Sequence, residues 1–331
     1  MHTGARIWTA LAAAAAAFAA GTAAEAPHVY AIRGARIVTA AGAPVASGTL
    51  VLRNGTIEAV GADVRVPGDA VLIEGSGLTV YPGLIDMGSA TGLDIQASPT
   101  PPANLRTTED QERWKRSVIF RPDLTAASHL VPDSPELARL ASTGVTTVLS
   151  TPPGSLVRGQ SALVNVAGPP DEPQIGALAD PRRGLQVVRT PVALHVALGS
   201  FGGRGGYPAS LLGSIAFVRQ QFLDAQHRDQ VRQHELRSKA RAGDRLVHDP
   251  ALDALQPALD RNLPVAFEAN LSREILRALE MAREFKLDPL ITGAREADQV
   301  VADLKGQGAR VIYSVNYPTR PRALAPDADE P

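Results

Sequence analysis

The sequence predicts an α/β protein in which a β-rich segment precedes a run of βα units. Two patterns support this fold class. From residue 250 onward, predicted helices and strands alternate with short loops, which is typical of consecutive βα units on a parallel sheet. Residues 29–80 are instead rich in short strands separated by turn residues, and Asn54-Gly55 is a strong signal for a two-residue hairpin.

The first 24 residues have the pattern of a secretory signal peptide. Arg6 supplies a positive charge, residues 7–20 are apolar and mostly alanine, and small residues at 22–24 favour cleavage after Ala24. The apolar run is too short for a good membrane span, so we expect no stable span after cleavage and a periplasmic or secreted protein. An uncleaved membrane anchor is the alternative.

Charge and cysteine content exclude several classes of function. The formal net charge is −1 and the pI is about 6.7, which gives no electrostatic basis for binding nucleic acid or an anionic membrane. The chain has no cysteine, so disulfides, thiolate metal ligands and a cysteine nucleophile are excluded. Histidine, aspartate, glutamate and asparagine remain as realistic metal ligands.

Within the β-rich segment, strands are predicted from alternation and from turn residues. The Asn-Gly turn joins the second and third of them, and a break at Gly68-Asp69 precedes the fourth. The predicted strands of this segment cover 28–39, 48–53, 56–60 and 70–74. The next strand, 78–86, is a continuous apolar run, which predicts that it is buried.

The central region is predicted to be less regular. Residues 94–135 are polar and contain several prolines, so we interpret them as a long loop or insertion. A helix follows at 135–142, with Ser134 as its N-cap and Gly144 beyond its end. The remaining predicted strands cover 145–150, 161–167, 192–198, 263–268, 289–292 and 309–315. The remaining predicted helices cover 207–241, 251–261, 272–285 and 296–307.

Residues 80–93 carry the most specific motif of the chain. They read Val-Tyr-Pro-Gly-Leu-Ile-Asp-Met-Gly-Ser-Ala-Thr-Gly-Leu, with a Pro-Gly-x-x-Asp run from Pro82 to Asp86. This run resembles the first barrel strand of the amidohydrolase superfamily, in the branch that includes imidazolonepropionase, dihydroorotase and secreted cyclic-amide or dipeptide hydrolases. Residues 52–61 and 145–148 also resemble the corresponding regions of that family.

The resemblance covers about 29–325, and it implies a TIM-type (β/α) barrel preceded by a small β-sandwich. It divides the chain into a signal peptide at 1–24, an N-terminal β-sandwich segment at 25–77 and a partial barrel at 78–331. In the family, a further strand with a metal-binding aspartate and the second half of the sandwich follow. We therefore expect a barrel that is incomplete at its C-terminus, because the reading frame is truncated or because a partner completes the fold.

The residues expected to bind metal by this resemblance are missing. The family motif continues into His-x-His, which holds a divalent metal such as zinc in active relatives, but here those positions are Gly88 and Ala90. Later ligand positions fall on Glu268, on Asn270 two residues further, and on Gly293. A hydrolytic zinc needs about three protein ligands and a water. The sequence therefore predicts that no metal cofactor is bound and that the family reaction, metal-dependent hydrolysis of non-peptide amide bonds or dipeptides, is lost.

His195 is the histidine of greatest interest. It lies between Leu194 and Val196 and shares a strand face with Ala193 and Ala197, so its side chain could point into a barrel lumen. Two interpretations stay open. One is a core histidine that is hydrogen-bonded to the backbone, and the other is a ligand or catalytic base.

Three hypotheses for function remain. The first is a non-catalytic amidohydrolase-like protein that binds a small molecule or pairs with an active paralogue or a second domain. The second is an active hydrolase with a relocated site that uses His195 and Glu268, together with Asp86, at the strand ends where barrel chemistry lies. Asp86 itself is expected mainly to bond backbone groups. The third is a fragment of a larger amidohydrolase without a selected function.

Overall fold

The chain folds into two compact units, which we describe separately. Residues 29–82 belong to the first unit, and the described residues from 83 onward belong to the second. The predicted signal peptide, 1–24, lies outside the described residues. The computed structural model describes residues 29–132, 134–154, 156–166, 185–198, 207–238 and 247–315.

The first unit is a five-stranded sheet. Its strands are β1 (Val29–Ile37), β2 (Val45–Arg53), β3 (Thr56–Gly61), β4 (Val71–Glu74) and β5 (Thr79–Val80). The order is β3-β2-β1-β4, with β5 also pairing with β1; β1, β2 and β3 are antiparallel, while β4 and β5 run parallel to β1.

The predicted hairpin between β2 and β3 is confirmed. Asn54 has a φ of 49°, the positive value that this two-residue turn requires at its first position. Apolar residues on one face of β1 and β2, such as Ala31 and Val51, are buried at 1% exposure or less. The described residues of this unit form one sheet, so the second layer of a β-sandwich stays a prediction.

The second unit contains two sheets. Its strands are β6 (Leu84–Ser89), β7 (Val145–Ser150), β8 (Val157–Gln160), β9 (Ala162–Asn165), β10 (Gln186–Arg189), β11 (Leu194–Ala197), β12 (Val265–Ala269), β13 (Pro289–Gly293) and β14 (Arg310–Tyr313). One sheet has the order β10-β9-β7-β6, and the other has the order β14-β13-β12-β11-β8. The strands β11 to β14 are all parallel, as are β6 and β7, which confirms the predicted α/β class.

A single extended stretch connects the two sheets of this unit. The strands β8 and β9 are separated only by Ser161, and they run antiparallel to β11 and to β7 respectively. The pairing continues through the junction, because the Ser161 amide donates to the Ala193 carbonyl at 3.0 Å and the Val192 amide donates to the Ser161 carbonyl at 2.9 Å. The strands β6 and β14 lie at the ends of these sheets, so a closed barrel is not seen in the described residues.

Helices of the second unit pack against its strands, α2 against β7 and α6 against β12 and β13. The α-helices among the described residues are α1 (Thr108–Ile119), α2 (Pro135–Ser142), α3 (Leu211–Ser238), α4 (Pro250–Asp253), α5 (Gln256–Leu259), α6 (Ser272–Phe285) and α7 (Val301–Gly306). Buried residues of α6, among them Ile275, Leu279 and Phe285, pack in one cluster with Phe267 of β12. None of the helices within the described ranges combines the length and apolar character needed to cross a bilayer.

Two predictions for the segment 78–135 were wrong. The region 94–135 contains α1, which begins after Thr107, whose hydroxyl accepts the Asp110 amide at 3.1 Å. The prolines before this cap conceal the helix in the sequence. The apolar run 78–86 is also not one buried strand, because it is divided at Pro82 and continues as the sheet-end strand β6, where Leu84 is 61% exposed.

Candidate functional site

A polar cavity of about 450 Å³ lies in the second unit, at the carboxyl ends of its parallel strands. The strand register places its lining on one side of the sheet. His195 pairs with Ala266, Glu268 pairs with Thr292, and Thr292 pairs with Ile312, and all five residues line the cavity. The alternate residues of the same strands form the apolar core under the helices.

The three residues of the predicted site line this one cavity. Asp86 comes from β6, His195 from β11 and Glu268 from β12. In the register of β11 and β12, Ala197 is opposite Glu268 and His195 is opposite Ala266. His195 and Glu268 are therefore diagonal neighbours on adjacent strands, whereas Asp86 belongs to the other sheet of the unit.

His195 is almost fully enclosed. The residue is 6% exposed, and its Nε2 atom is buried without a hydrogen-bond partner among the described residues. Burial and, to a smaller extent, the positive charge of Arg158 lower the pKa of His195 to about 3. The imidazole is thus neutral at physiological pH, and a backbone hydrogen bond at Nε2 does not explain its burial.

This burial predicts a specific acid sensitivity. Between the ordinary histidine pKa of 6.5 and about 3, the unfolded chain binds a proton at residue 195 that the folded chain does not bind. The free energy of unfolding should therefore decrease as the pH is lowered from 6.5 to about 3. This one group contributes at most about 1.4 kcal/mol per pH unit to the decrease. Urea unfolding at several pH values should show a flatter profile for His195→Gln than for wild type. The exposed-site control His227→Gln should keep the wild-type profile, and a wild-type profile in His195→Gln would contradict the prediction.

Glu268 is held by an arginine that sequence reasoning missed. The Arg158 Nη1 atom lies 2.6 Å from Glu268 Oε2, and the two side chains are 20% and 44% exposed. Arg158 lies on β8, which is not among the strands predicted from the sequence. The strand is only four residues long and contains a glycine, so its sequence gives little signal for a strand.

Asp86 makes a local contact. Its Oδ1 accepts the backbone amide of Gly88 at 3.1 Å, which is the kind of bond expected for a structural aspartate at a strand end. Gly88, at a family ligand position, also lines the cavity, whereas Ala90 follows the end of β6.

The position of Gly293 has no room for a side chain. A Cβ atom there would lie 2.5 Å from Asn270 Oδ1, and the backbone has a φ of +84°, which side chains rarely adopt. Asn270 thus occupies the space that a histidine at position 293 would need. A histidine at position 293 would therefore require Asn270 to move and would have to adopt a strained backbone conformation.

The residues present do not fit a divalent metal. Among the described residues, no group of three His, Asp or Glu side chains is arranged to hold an ion. One oxygen of Asp86 is bonded to backbone, and Glu268 is ion-paired with Arg158. A hydrolytic zinc site requires three convergent donors and an open position for water, and the described residues of this cavity do not provide them.

Comparison with solved structures identifies the fold. The chain is similar to an amidohydrolase from Thermotoga maritima MSB8, with 21% identity and a TM-score of 0.67 over 86% of this chain and 70% of that chain. It is also similar to a prolidase complexed with N-methylphosphonate-L-proline (15%, TM-score 0.39) and to a Xaa-Pro dipeptidase with bound methionine in the active site (13%, TM-score 0.36). Each of these two matches covers 86% of this chain and 66% of the other.

No family model matches the sequence, and no curated protein matches it. The fold assignment rests on the Thermotoga structure, because the other two TM-scores are low. The chain spans about two thirds of the length of these proteins. The described residues have the fold of the Thermotoga amidohydrolase, which agrees with the fold expected from the resemblance of residues Pro82 to Asp86.

Proposed function

We propose that this chain is a secreted, amidohydrolase-like protein that has kept the ligand cavity of its fold and lost metal-dependent hydrolysis. The observation that carries the proposal is the ion pair between Arg158 and Glu268 inside the cavity. A carboxylate that faces a strand-end cavity is a natural metal ligand, but here a permanently charged guanidinium binds it instead.

The cavity is suited to a small polar molecule. Its volume of about 450 Å³ falls within the range of small-molecule sites. Hydroxyl and amide side chains, including Thr151, Asn270 and Thr292, line it together with His195, whose buried Nε2 atom has no hydrogen-bond partner among the described residues. A ligand that bonds to this nitrogen would satisfy a buried polar atom, which is a favourable exchange.

The edges of two strands beside the cavity are suited to binding a protein partner. The end strands β6 and β14 both border the cavity, and they expose large apolar side chains such as Ile85 (56%) and Tyr313 (57%). Unpaired strand edges with apolar side chains favour association with further strands. We propose that an active paralogue or a second domain covers these edges, and that export through residues 1–24 places the protein in the periplasm or outside the cell.

Metal content and turnover test the proposal together. The purified chain is equilibrated with Zn²⁺, freed of excess ion, and analysed for bound metal and for hydrolysis of N-acyl dipeptides and cyclic amides. We expect no stoichiometric zinc and no turnover, because the cavity lacks three convergent donors. A zinc hydrolase treated in parallel shows that the loading procedure works. One or two bound ions per chain, with turnover that a chelator abolishes, would show that the proposal is wrong.

The alternative is a hydrolase with a relocated site. It is favoured by one observation, the diagonal placement of His195 and Glu268 on neighbouring strands of the same cavity. A neutral histidine can accept a proton from an attacking water, and a nearby carboxylate can orient the imidazole. If metal-independent turnover is found, His195→Ala and Glu268→Ala should abolish it; unchanged activity in both variants excludes this site.

A further inference from the structure

Arg158 reaches the cavity because of an unusual strand arrangement. The segment that contains it, β8, runs antiparallel to β11, whereas β11 to β14 are mutually parallel. The position of β8 brings Arg158 beside Glu268. The positive charge of Arg158 also lowers the pKa of His195. The guanidinium is thus next to two side chains of the kinds that bind divalent cations.

We infer that the positive charge of Arg158 substitutes for that of a metal ion in this cavity and thereby excludes divalent cations from it. The inference rests on the proposed function, since it explains why a cavity with a buried histidine and two carboxylates carries no metal-dependent reaction. Arg158 is a positioning residue in this account, because it acts by fixing Glu268.

Two physical effects produce the exclusion. An incoming ion would have to compete with the guanidinium for the Glu268 carboxylate, at a contact of 2.6 Å between oppositely charged atoms. It would also lie within a few ångströms of a fixed positive charge, whose repulsion opposes binding even in a cavity that is partly open to water. An arginine cannot relieve this repulsion by losing its proton.

The inference predicts that a cation site becomes available when the charge is removed. In Arg158→Met, Glu268 loses its ion pair and can turn towards the Nε2 atom of His195, which has no partner among the described residues. We expect Co²⁺ to bind Arg158→Met at least roughly tenfold more tightly than wild type, from the loss of repulsion alone. Isothermal titration measures the affinity, and the visible absorption of Co²⁺ reports ligation by nitrogen and oxygen.

Three further variants make the test specific. Arg158→Lys keeps the charge and should bind Co²⁺ as weakly as wild type. Arg158→Met combined with His195→Ala should lose the gained affinity. Arg219→Met breaks an ion pair of similar length, 2.7 Å, between Arg219 on α3 and Glu284 on α6. It should leave the affinity for Co²⁺ unchanged. Circular dichroism and thermal melting verify folding, and Arg158→Gln replaces the methionine variant if the latter is unfolded.

The outcomes separate this inference from the proposed function. If wild type takes up no metal and Arg158→Met also gains no affinity for Co²⁺, the inference is wrong and the proposed function stands. If Arg158→Lys gains as much affinity as Arg158→Met, charge is not the cause and the inference is again wrong. If wild type binds Co²⁺ through His195 and hydrolyses amides, both are wrong.

Discussion

Replacement of Phe267 by alanine should lower the free energy of unfolding of the second unit by about 3–5 kcal/mol. Phe267 is 0% exposed and lies on β12, with β11 on one side and β13 on the other. The strand neighbours are fixed by backbone hydrogen bonds, so they cannot move in to fill the cavity that the lost ring leaves. The variant therefore loses both the burial of the ring and its packing contacts.

Urea unfolding followed by circular dichroism measures the effect. The control is Leu212→Ala on α3, where the side chain is 77% exposed and truncation should change stability by less than about 0.5 kcal/mol. A loss below about 1 kcal/mol for Phe267→Ala would mean that the core repacks around the missing ring, contrary to the rigid sheet described above.

Gly159→Ala should also lower the free energy of unfolding of the second unit by several kcal/mol, for a different reason. Gly159 has a φ of +116°, and a Cβ atom there would lie 2.4 Å from the carbonyl oxygen of Leu124. The strain of a positive φ and the overpacking should together lower the free energy of unfolding by roughly 2–6 kcal/mol. Since the clash is with backbone, no side-chain rotation relieves it. Gly159 is adjacent to Arg158 and opposite His195, so the strained segment is also the one that shapes the cavity.

The matched control for this prediction is Gly306→Ala. Gly306 ends α7 with open space around its Cβ position, and alanine there should be neutral or stabilising by up to about 1 kcal/mol. The same urea titration compares the two variants with wild type. Equal stability of Gly159→Ala and Gly306→Ala would show that the β8 segment can move away from Leu124.

The features predicted from sequence are those fixed by local chemistry. The Asn54-Gly55 hairpin needs only its two turn residues, and the alternation of helices and strands after residue 250 follows from periodic burial. The side of β11 on which His195 lies was also predictable, because alternation along a strand assigns every second residue to one face. These conclusions required no knowledge of distant parts of the chain.

What the sequence did not show depends on contacts between distant segments. The pairing of β8 with β11, which delivers Arg158 to Glu268, joins residues more than thirty positions apart across a Pro- and Gly-rich region. The exposure of β6 was missed because an apolar run predicts burial only if another element covers it. The conflict between Gly293 and Asn270 is likewise visible only once β12 and β13 are side by side.

The junction at Ser161 has a consequence for how this protein unfolds. Because β8 and β9 are one continuous stretch, the strands β7 and β11 are tied to the same nine residues, 157–165. Opening of one sheet would therefore displace the segment that continues directly into the other sheet. The second unit should therefore melt as one cooperative body rather than as two foldons, even though its two sheets have separate cores.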